Sequence, residues 1–330
     1  MKKSFLLSMI FGIVLMMFIF AFFWKDIIPV LNKAELEFVI VAIFFYVLFI
    51  LIWAERWRIF IEGQKPGIKE IFPVLIAGIA INNLTPLARI GGEPVRAYML
   101  KIIAKIKFTK GMASTLSELV AEFLSQLLIV LISLPILFSL QTAPWLLTCF
   151  MFFALIYLLG GLMIINIQDE LKIKKLFTWL SFKFRRFSIM RAKISKVFFS
   201  FQSALKTNLA NKENLKKSLI LSLIMKGFEI LKIYAIFLAL NYEISLLMCF
   251  VILSVTIIIS VIPATPGSMG IMEGGLISFL IISGIPHGIA AAFVIIDRII
   301  TFWIPTIAGI ILMHKYGITE KMLSLVISKR

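Results

Sequence analysis

The chain has 330 residues, 61% of them hydrophobic, with a mean hydropathy of +1.04 and a net charge of +17. Soluble domains are about 45–50% apolar, so a soluble globular protein is excluded. Nucleic-acid binding does not follow from the charge either, because 13 Lys/Arg against 3 Asp/Glu fall between Gln168 and Ser218, in one loop flanked by apolar spans. Such a loop reads as cytoplasmic and facing anionic lipid headgroups.

Lys2 and Lys3 precede an apolar run from Phe5 to Phe23 of 19 residues, with no A-x-A site after it. That is long for a signal peptide and suits a retained first helix. A second span follows at about 38–54. The loop between these spans (Lys25, Asp26, Lys33, Glu35, Glu37) is not net basic, whereas the next carries Arg56, Arg58, Lys65 and Lys69 and is expected inside. Ile71 to Ile81 is apolar for only 11 residues, too short to cross. It breaks at Asn82-Asn83-Leu84-Thr85-Pro86 and returns through Gly91-Gly92-Glu93-Pro94 to a stretch holding Arg96, Lys101, Lys105, Lys107 and Lys110. Basic loops on both flanks predict a re-entrant hairpin. Its irregular backbone is tolerated at membrane depth only when buried in protein or lining a cavity.

A span at about 112–140 comes next, then an uncharged turn near Gln141 and a span at 144–167. The basic loop at 168–217 mixes Phe, Trp, Lys and Arg over 176–204, as interfacial helices do. A span at 218–240 leads out to Asn241-Tyr242-Glu243. Ile244 to Ile262 then breaks at Pro263-Ala264-Thr265-Pro266-Gly267, Gly270 to Ser283 returns, and the last span covers about 289–313. Both termini are expected in the cytoplasm. Cys149 and Cys249 lie in apolar spans and suit neither a metal site nor a disulfide framework. His287 and His314 fall at helix ends and read as incidental.

One pattern occurs twice. Thr85 to Glu93 and Thr265 to Glu273 both begin Thr-Pro, are rich in Gly, and carry a Glu eight positions after the Thr, 180 residues apart. The same shift carries span 38–54 onto 218–240 and span 112–140 onto 289–313. By the loop charges the first unit starts outside and the second inside. The fold expected is therefore all-α: one polytopic helix bundle over 1–330, about eight spans and two re-entrant hairpins. Its inverted repeats would cover 38–140 and 218–313. Broken helices at matching places of two halves are where transporters bind substrate.

Ionisable groups inside spans are costly and mark substrate or ion paths. Glu118 and Glu122 share a helix face with Thr115 and Gln126. They require a cation, for which Arg298 and Arg89 are the candidates. Asp297 and Arg298 lie in the matching span, Arg298 in register with Glu118. Lys226, Glu229 and Lys232 are spaced by three, which fits intrahelical pairing. At the first break, Arg89, Arg96, Asn82 and Asn83 follow a short helix, and Pro94 suits the first turn of the next. Amides at Gly91 and Gly92 together with Arg89 would form an anion site, with phosphate the obvious anion. Alternatively, Gly and Pro only shape the hairpin and Arg89 pairs with Glu93.

Three stretches resemble one family: N-N-L-T-P-L-A-R-I-G-G-E-P-V-R (Asn82 to Arg96), I-P-A-T-P-G-S-M-G-I-M-E (Ile262 to Glu273) and D-R-I-I-T-F-W-I-P-T-I-A-G (Asp297 to Gly309). The chain is similar to the flippase-like transmembrane domain of lysylphosphatidylglycerol synthases, which also occurs alone as bacterial and archaeal membrane proteins. The resemblance covers nearly the whole chain. It implies an eight-helix domain with re-entrant hairpins that moves a lipid headgroup between leaflets. The family usually has Glu-Arg and then Asp in the helix after the first hairpin. Here Leu119 replaces the Arg and Glu122 the Asp, which removes a cation. No soluble aminoacyl-transferase domain lies within these residues, so the lipid is expected from a separate lipid-modifying enzyme.

The function expected is a lipid flippase or translocase for a phospholipid or polyprenyl-phosphate-linked headgroup, in the cell membrane. Arg89, Arg96 and Arg298 would meet phosphate. Glu93, Glu118, Glu122 and Glu273 would hold a cationic headgroup or a coupling proton. Asn82, Asn83, Gly91, Gly92, Gly267, Gly270 and Asp297 would complete the site. Membrane lipids are the expected partners. No catalytic residue, metal or cofactor is expected, and no nucleotide-binding motif appears. An integral-membrane lipid-linked transferase and an ion-coupled carrier of a small solute are the alternatives.

Overall fold

The computed structural model describes residues 3–63, 65–85, 91–139, 150–156, 211–260 and 265–318, with the single positions 148, 158, 159, 207 and 210. Long apolar stretches in lipid must satisfy their backbone groups internally, and among the described residues they do so entirely as helices. α1 spans Lys3–Leu31, α2 Leu36–Ile59, α3 Ile68–Leu84, α4 Glu93–Ile103 and α5 Phe108–Ser139. α6 spans Lys212–Ala239, α7 Leu246–Ser260, α8 Ile271–Ile282, α9 His287–Arg298 and α10 Ile304–Lys315. A π-helical stretch, Ile299–Trp303, joins α9 to α10 in one run of 29 residues. Among the described residues, four runs are long and apolar enough to cross a bilayer: Val14–Leu31, Leu36–Ile59, Phe108–Phe138 and His287–Lys315. The protein is a polytopic helical membrane protein. The expected span at 144–167 and the basic loop at 168–217 fall mostly outside the described residues.

α3 has 17 residues, α4 11, α7 15 and α8 12. At about 1.5 Å per residue, each is shorter over its described residues than the roughly 30 Å of a hydrocarbon core. α3 is nonetheless longer than its 11-residue apolar run. The Glu70 carboxylate accepts from the Gly67 N–H at 2.8 Å and starts the helix early. At the other end Asn82 and Asn83 remain helical, a correction to the break expected there. The chain leaves the helix only at Thr85 (φ −117°, ψ 140°), in the extended conformation that a following proline favours.

Each short pair folds back on itself. α3 and α4 touch at glycines: the Arg96 stem lies over Gly78, and a Cβ on Gly92 would run into the Gly78 carbonyl. In the second pair a Cβ on Gly275 would lie 2.9 Å from Ile259 Cδ1. The second break turns through Gly267 (φ +58°) and Gly270 (φ +81°), left-handed positions that favour glycine.

α2 and α6 run antiparallel along their whole length. The Glu35 N–H donates to the Ala239 carbonyl (2.8 Å), Phe45 stacks on Phe228, and Arg56 donates to Ser222 Oγ (2.9 Å). α3 lies against α10, where a Cβ on Gly309 would come within 2.5 Å of Ala80 Cβ and 2.6 Å of the Ile76 oxygen. α5 meets α7 through Ser133 and Ser254, whose hydroxyls are 2.5 Å apart. Small and hydroxyl side chains are the usual means of close helix approach in lipid. α1 covers the second hairpin, with Gly12 against Met269 and Thr265. A shift of 180 takes α2 onto α6, α3 onto α7, α4 onto α8, and α5 onto the α9–α10 run.

Candidate functional site

The end of α2 presents Trp53, Arg56 and Trp57 on one face, by their i, i+3 and i+4 spacing. α4 presents Glu93 and Arg96, α5 Glu118 and Glu122, and α6 Ser222, Lys226 and Glu229. These faces converge. Glu93 pairs with Arg96 (3.0 Å), Arg96 with Glu118 (2.5 Å), and Glu118 with Arg56 (2.9 Å). Arg56 pairs in turn with Glu122, Glu122 with Lys226 (3.1 Å), and Lys226 with Glu229 (2.7 Å). Seven charges alternate in sign along one continuous chain that begins and ends in a carboxylate.

The chain has a closed end and a more open one. The side chains of Arg56, Arg96 and Glu118 are 2% exposed, whereas Glu122 and Glu229 are 20% and 21% exposed. Neutral donors fill the gaps. The Trp53 indole N–H donates to Glu118, Gln126 donates to Glu122 (2.9 Å), and Trp57 donates to Ser114 Oγ (3.2 Å). The Arg96 guanidinium also lies 4.0 Å from the Trp57 ring centroid and 5.3 Å from that of Trp53, within cation–π range. Buried charges persist only when paired and hydrogen-bonded, and removing one partner costs about 3–5 kcal/mol.

A second set ties the other break to the α9–α10 run. Arg298 Nε donates to Glu273 (2.6 Å) and its Nη2 to the Gly267 carbonyl (3.2 Å). Glu273 also accepts from the Gly270 N–H at 2.6 Å. Next to it, Lys232 pairs with Asp297 at 2.5 Å. The two breaks meet: a Cβ on Gly267 would lie 2.6 Å from the Asn83 oxygen. Asn83 donates to Thr306 Oγ1 (2.9 Å) and to the Phe302 carbonyl (3.3 Å), while Asn82 Oδ1 accepts from the Gly92 N–H (2.6 Å).

Several expected partnerships are therefore corrected. Among the described residues, the cations beside Glu118 and Glu122 are Arg56, Arg96 and Lys226, and Arg298 pairs with Glu273. The Gly92 amide, expected free for an anion, is taken by Asn82, whose short side chain reaches across the hairpin. Lys226 and Glu229 do pair within α6, but Lys232 pairs with Asp297 on α9. Pro94 sits in the first turn of α4 as expected. Gly91 lies against Thr85, so tightly that a Cβ there would clash with the hydroxyl. Arg89 lies outside the described residues. Arg56, expected in a cytoplasmic loop, is inside α2 and buried, because α2 continues to Ile59. Its flanking Trp53 and Trp57, on the same helix face, were the available signal.

Comparison with known proteins gives one family. The model described as the lysylphosphatidylglycerol synthase TM region matches residues 6–309. A UPF0104 membrane protein of Pyrococcus horikoshii is 29% identical over 333 residues, covering 96% of this chain and 97% of the relative. One from Methanothermobacter thermautotrophicus is 27% identical over 309 residues (90% and 91%), and one from Methanocaldococcus jannaschii 28% over 296 residues (87% and 87%). No solved structure matches.

Proposed function

This chain belongs to the family of lysylphosphatidylglycerol synthase transmembrane regions, and on that premise we propose that it moves a phosphate-bearing lipid headgroup between leaflets. The observation that carries this reading is the chain of ion pairs inside the membrane domain, running from the first helix break to α6. Intramembrane charges at broken helices are the hallmark of a polar substrate path. The headgroup, of a phospholipid or a polyprenyl-phosphate-linked lipid, enters between the two breaks while its acyl chains stay in the bilayer. Arg96 and Arg298, with Arg89, meet the phosphate by exchanging a carboxylate for it, since guanidinium binds either in the same bidentate manner. The Asn82 and Asn83 side chains and the backbone turns at Gly91, Gly92, Gly267 and Gly270 frame the site. Glu93, Glu118, Glu122, Glu273 and Asp297 hold the cations while the site is empty.

Alternating access follows from inverted repeats at 38–140 and 218–313, a reading supported by the antiparallel course of α2 and its 180-shift counterpart α6. In this reading the termini and the basic 168–217 loop face the cytoplasm of the cell membrane, against anionic headgroups. A separate enzyme supplies the modified lipid. The test is mass spectrometry of lipids retained through purification in mild detergent, for wild type, Arg96→Ala and Arg298→Ala. One lipid class enriched over the membrane average, and lost in both variants, is expected. Retained lipid that mirrors the bulk membrane in all three would overturn the headgroup site.

A further inference from the structure

Among the described residues, the seven-membered ion chain is short of one positive charge. Its cations are Arg56, Arg96 and Lys226, and its carboxylates are Glu93, Glu118, Glu122 and Glu229, which leaves a formal charge of 3 − 4 = −1. Each inner carboxylate has two cations. Glu118 lies between Arg56 and Arg96, and Glu122 between Arg56 and Lys226. Each terminal carboxylate has one cation among the described residues. The two termini differ in setting. Glu229 is 21% exposed, but Glu93 is 3% exposed and has the like charge of Glu118 on the far side of Arg96, its one cation among the described residues.

Among the described residues, the groups around Glu93 are few. On α4 it has Arg96; from α5 it faces Glu118, while the Thr115 hydroxyl donates to the Met112 carbonyl (2.9 Å). α3 contributes Asn82, already bound to the neighbouring Gly92 amide. α2 contributes Arg56, Trp53 and Trp57, which are engaged with Glu118, Glu122 and Ser114. An ionised carboxylate without a full cation is the costly state in a dry interior.

We infer that Glu93 is a proton-binding site, and that one proton binds together with each anionic headgroup. While Glu93 is ionised, its Oε2 holds Arg96 Nη1. A proton arriving from solvent on the carboxylate weakens that pair and frees a guanidinium N–H beside the first break. A phosphate oxygen takes the vacated donor. The proton offsets the excess negative charge of the chain, and the headgroup travels with it. The coupling rests on the proposed headgroup function. The proton site itself does not.

Two measurements on the purified full chain in detergent separate them. The first is the infrared difference spectrum between mildly acidic and alkaline buffer. Wild type is expected to lose the band of one protonated carboxyl, and Glu93→Gln to show no such loss. Glu93→Asp, which keeps the acid, retains the band at a shifted frequency and controls for folding. Absence of the band from wild type overturns the proton site. If Arg89→Gln then creates it, Arg89 is the missing cation. A band that survives in Glu93→Gln assigns the proton elsewhere and also overturns it.

The second is binding of dihexanoyl phosphatidic acid across the same pH range. One linked proton weakens binding by about tenfold per pH unit once the site deprotonates. This slope is expected in wild type and is flattened in Glu93→Gln. Equal slopes overturn the coupling. If neither chain binds the probe while the infrared band behaves as expected, the headgroup reading fails and the proton site stands.

Discussion

Glu118→Gln is the sharpest perturbation of the ion-pair chain. Glu118 accepts from Trp53, from Arg56 at 2.9 Å and from Arg96 at 2.5 Å, and is 2% exposed. The amide keeps the shape but removes the charge shared by two guanidinium groups, each of them also 2% exposed. Breaking a buried pair by removing one partner costs about 3–5 kcal/mol. An unfolding entropy of about 2.1 cal/mol/K per residue, taken over the 330 residues, is roughly 0.7 kcal/mol/K, so Tm falls by about 4–7 °C. The assay is thermal unfolding of the detergent-solubilised protein followed by intrinsic fluorescence, with Glu55→Gln as reference. Glu55 pairs with Arg58 near the end of α2 with 39% exposure, and such pairs contribute about 1 kcal/mol or less. A Glu118→Gln shift no larger than that of Glu55→Gln would refute the closed, mutually dependent network.

Lys232→Met alone and Asp297→Leu alone are each expected to destabilise by about 3–5 kcal/mol, and the double variant by far less. An apolar pair can replace a buried ion pair, whereas an orphaned charge cannot remain. Denaturation of the three variants reads this as a coupling energy, and additive losses would contradict it. Gly309→Leu would separate α3 from α10, because even a Cβ there lies 2.6 Å from the Ile76 oxygen. A loss of about 1–3 kcal/mol or more is expected from overpacking, and unchanged stability would show that the helices are not in contact. Cys249 is fully buried, so in a Cys149→Ser background a small membrane-permeant maleimide labels it only after denaturation; rapid labelling of the native protein would place α7 wrongly.

The sequence made some of this architecture legible and concealed the rest for physical reasons. Helix breaks were visible because proline and glycine act locally. α3 ends at Leu84, just before Thr85-Pro86, and the chain turns through Thr265-Pro266-Gly267 ahead of α8. Glu118 and Glu122 were legible because a spacing of four fixes a common face. Partner choice was not legible. Lys232 and Asp297 are 65 positions apart, and only packing of α6 on α9 brings them together. Arg56 was missed because it follows the apolar run by two residues and looks like an interfacial anchor. The helix continues past it, and Trp57 at 0% exposure shows how deep that turn sits. Asn82 and Asn83 read as breakers, yet their side chains bond across to α4 and α10 and let the helix run to Leu84.

The most direct test is lipid translocation in proteoliposomes carrying trace fluorescent phosphatidylglycerol and the lipid class recovered with the purified protein. Inner-leaflet label that becomes accessible to an impermeant quencher faster than in protein-free vesicles, and at the protein-free rate with Arg96→Ala, is the predicted result. No acceleration for either lipid by a stably folded wild-type protein, or the same acceleration by Arg96→Ala, would contradict headgroup movement through the buried ion-pair site.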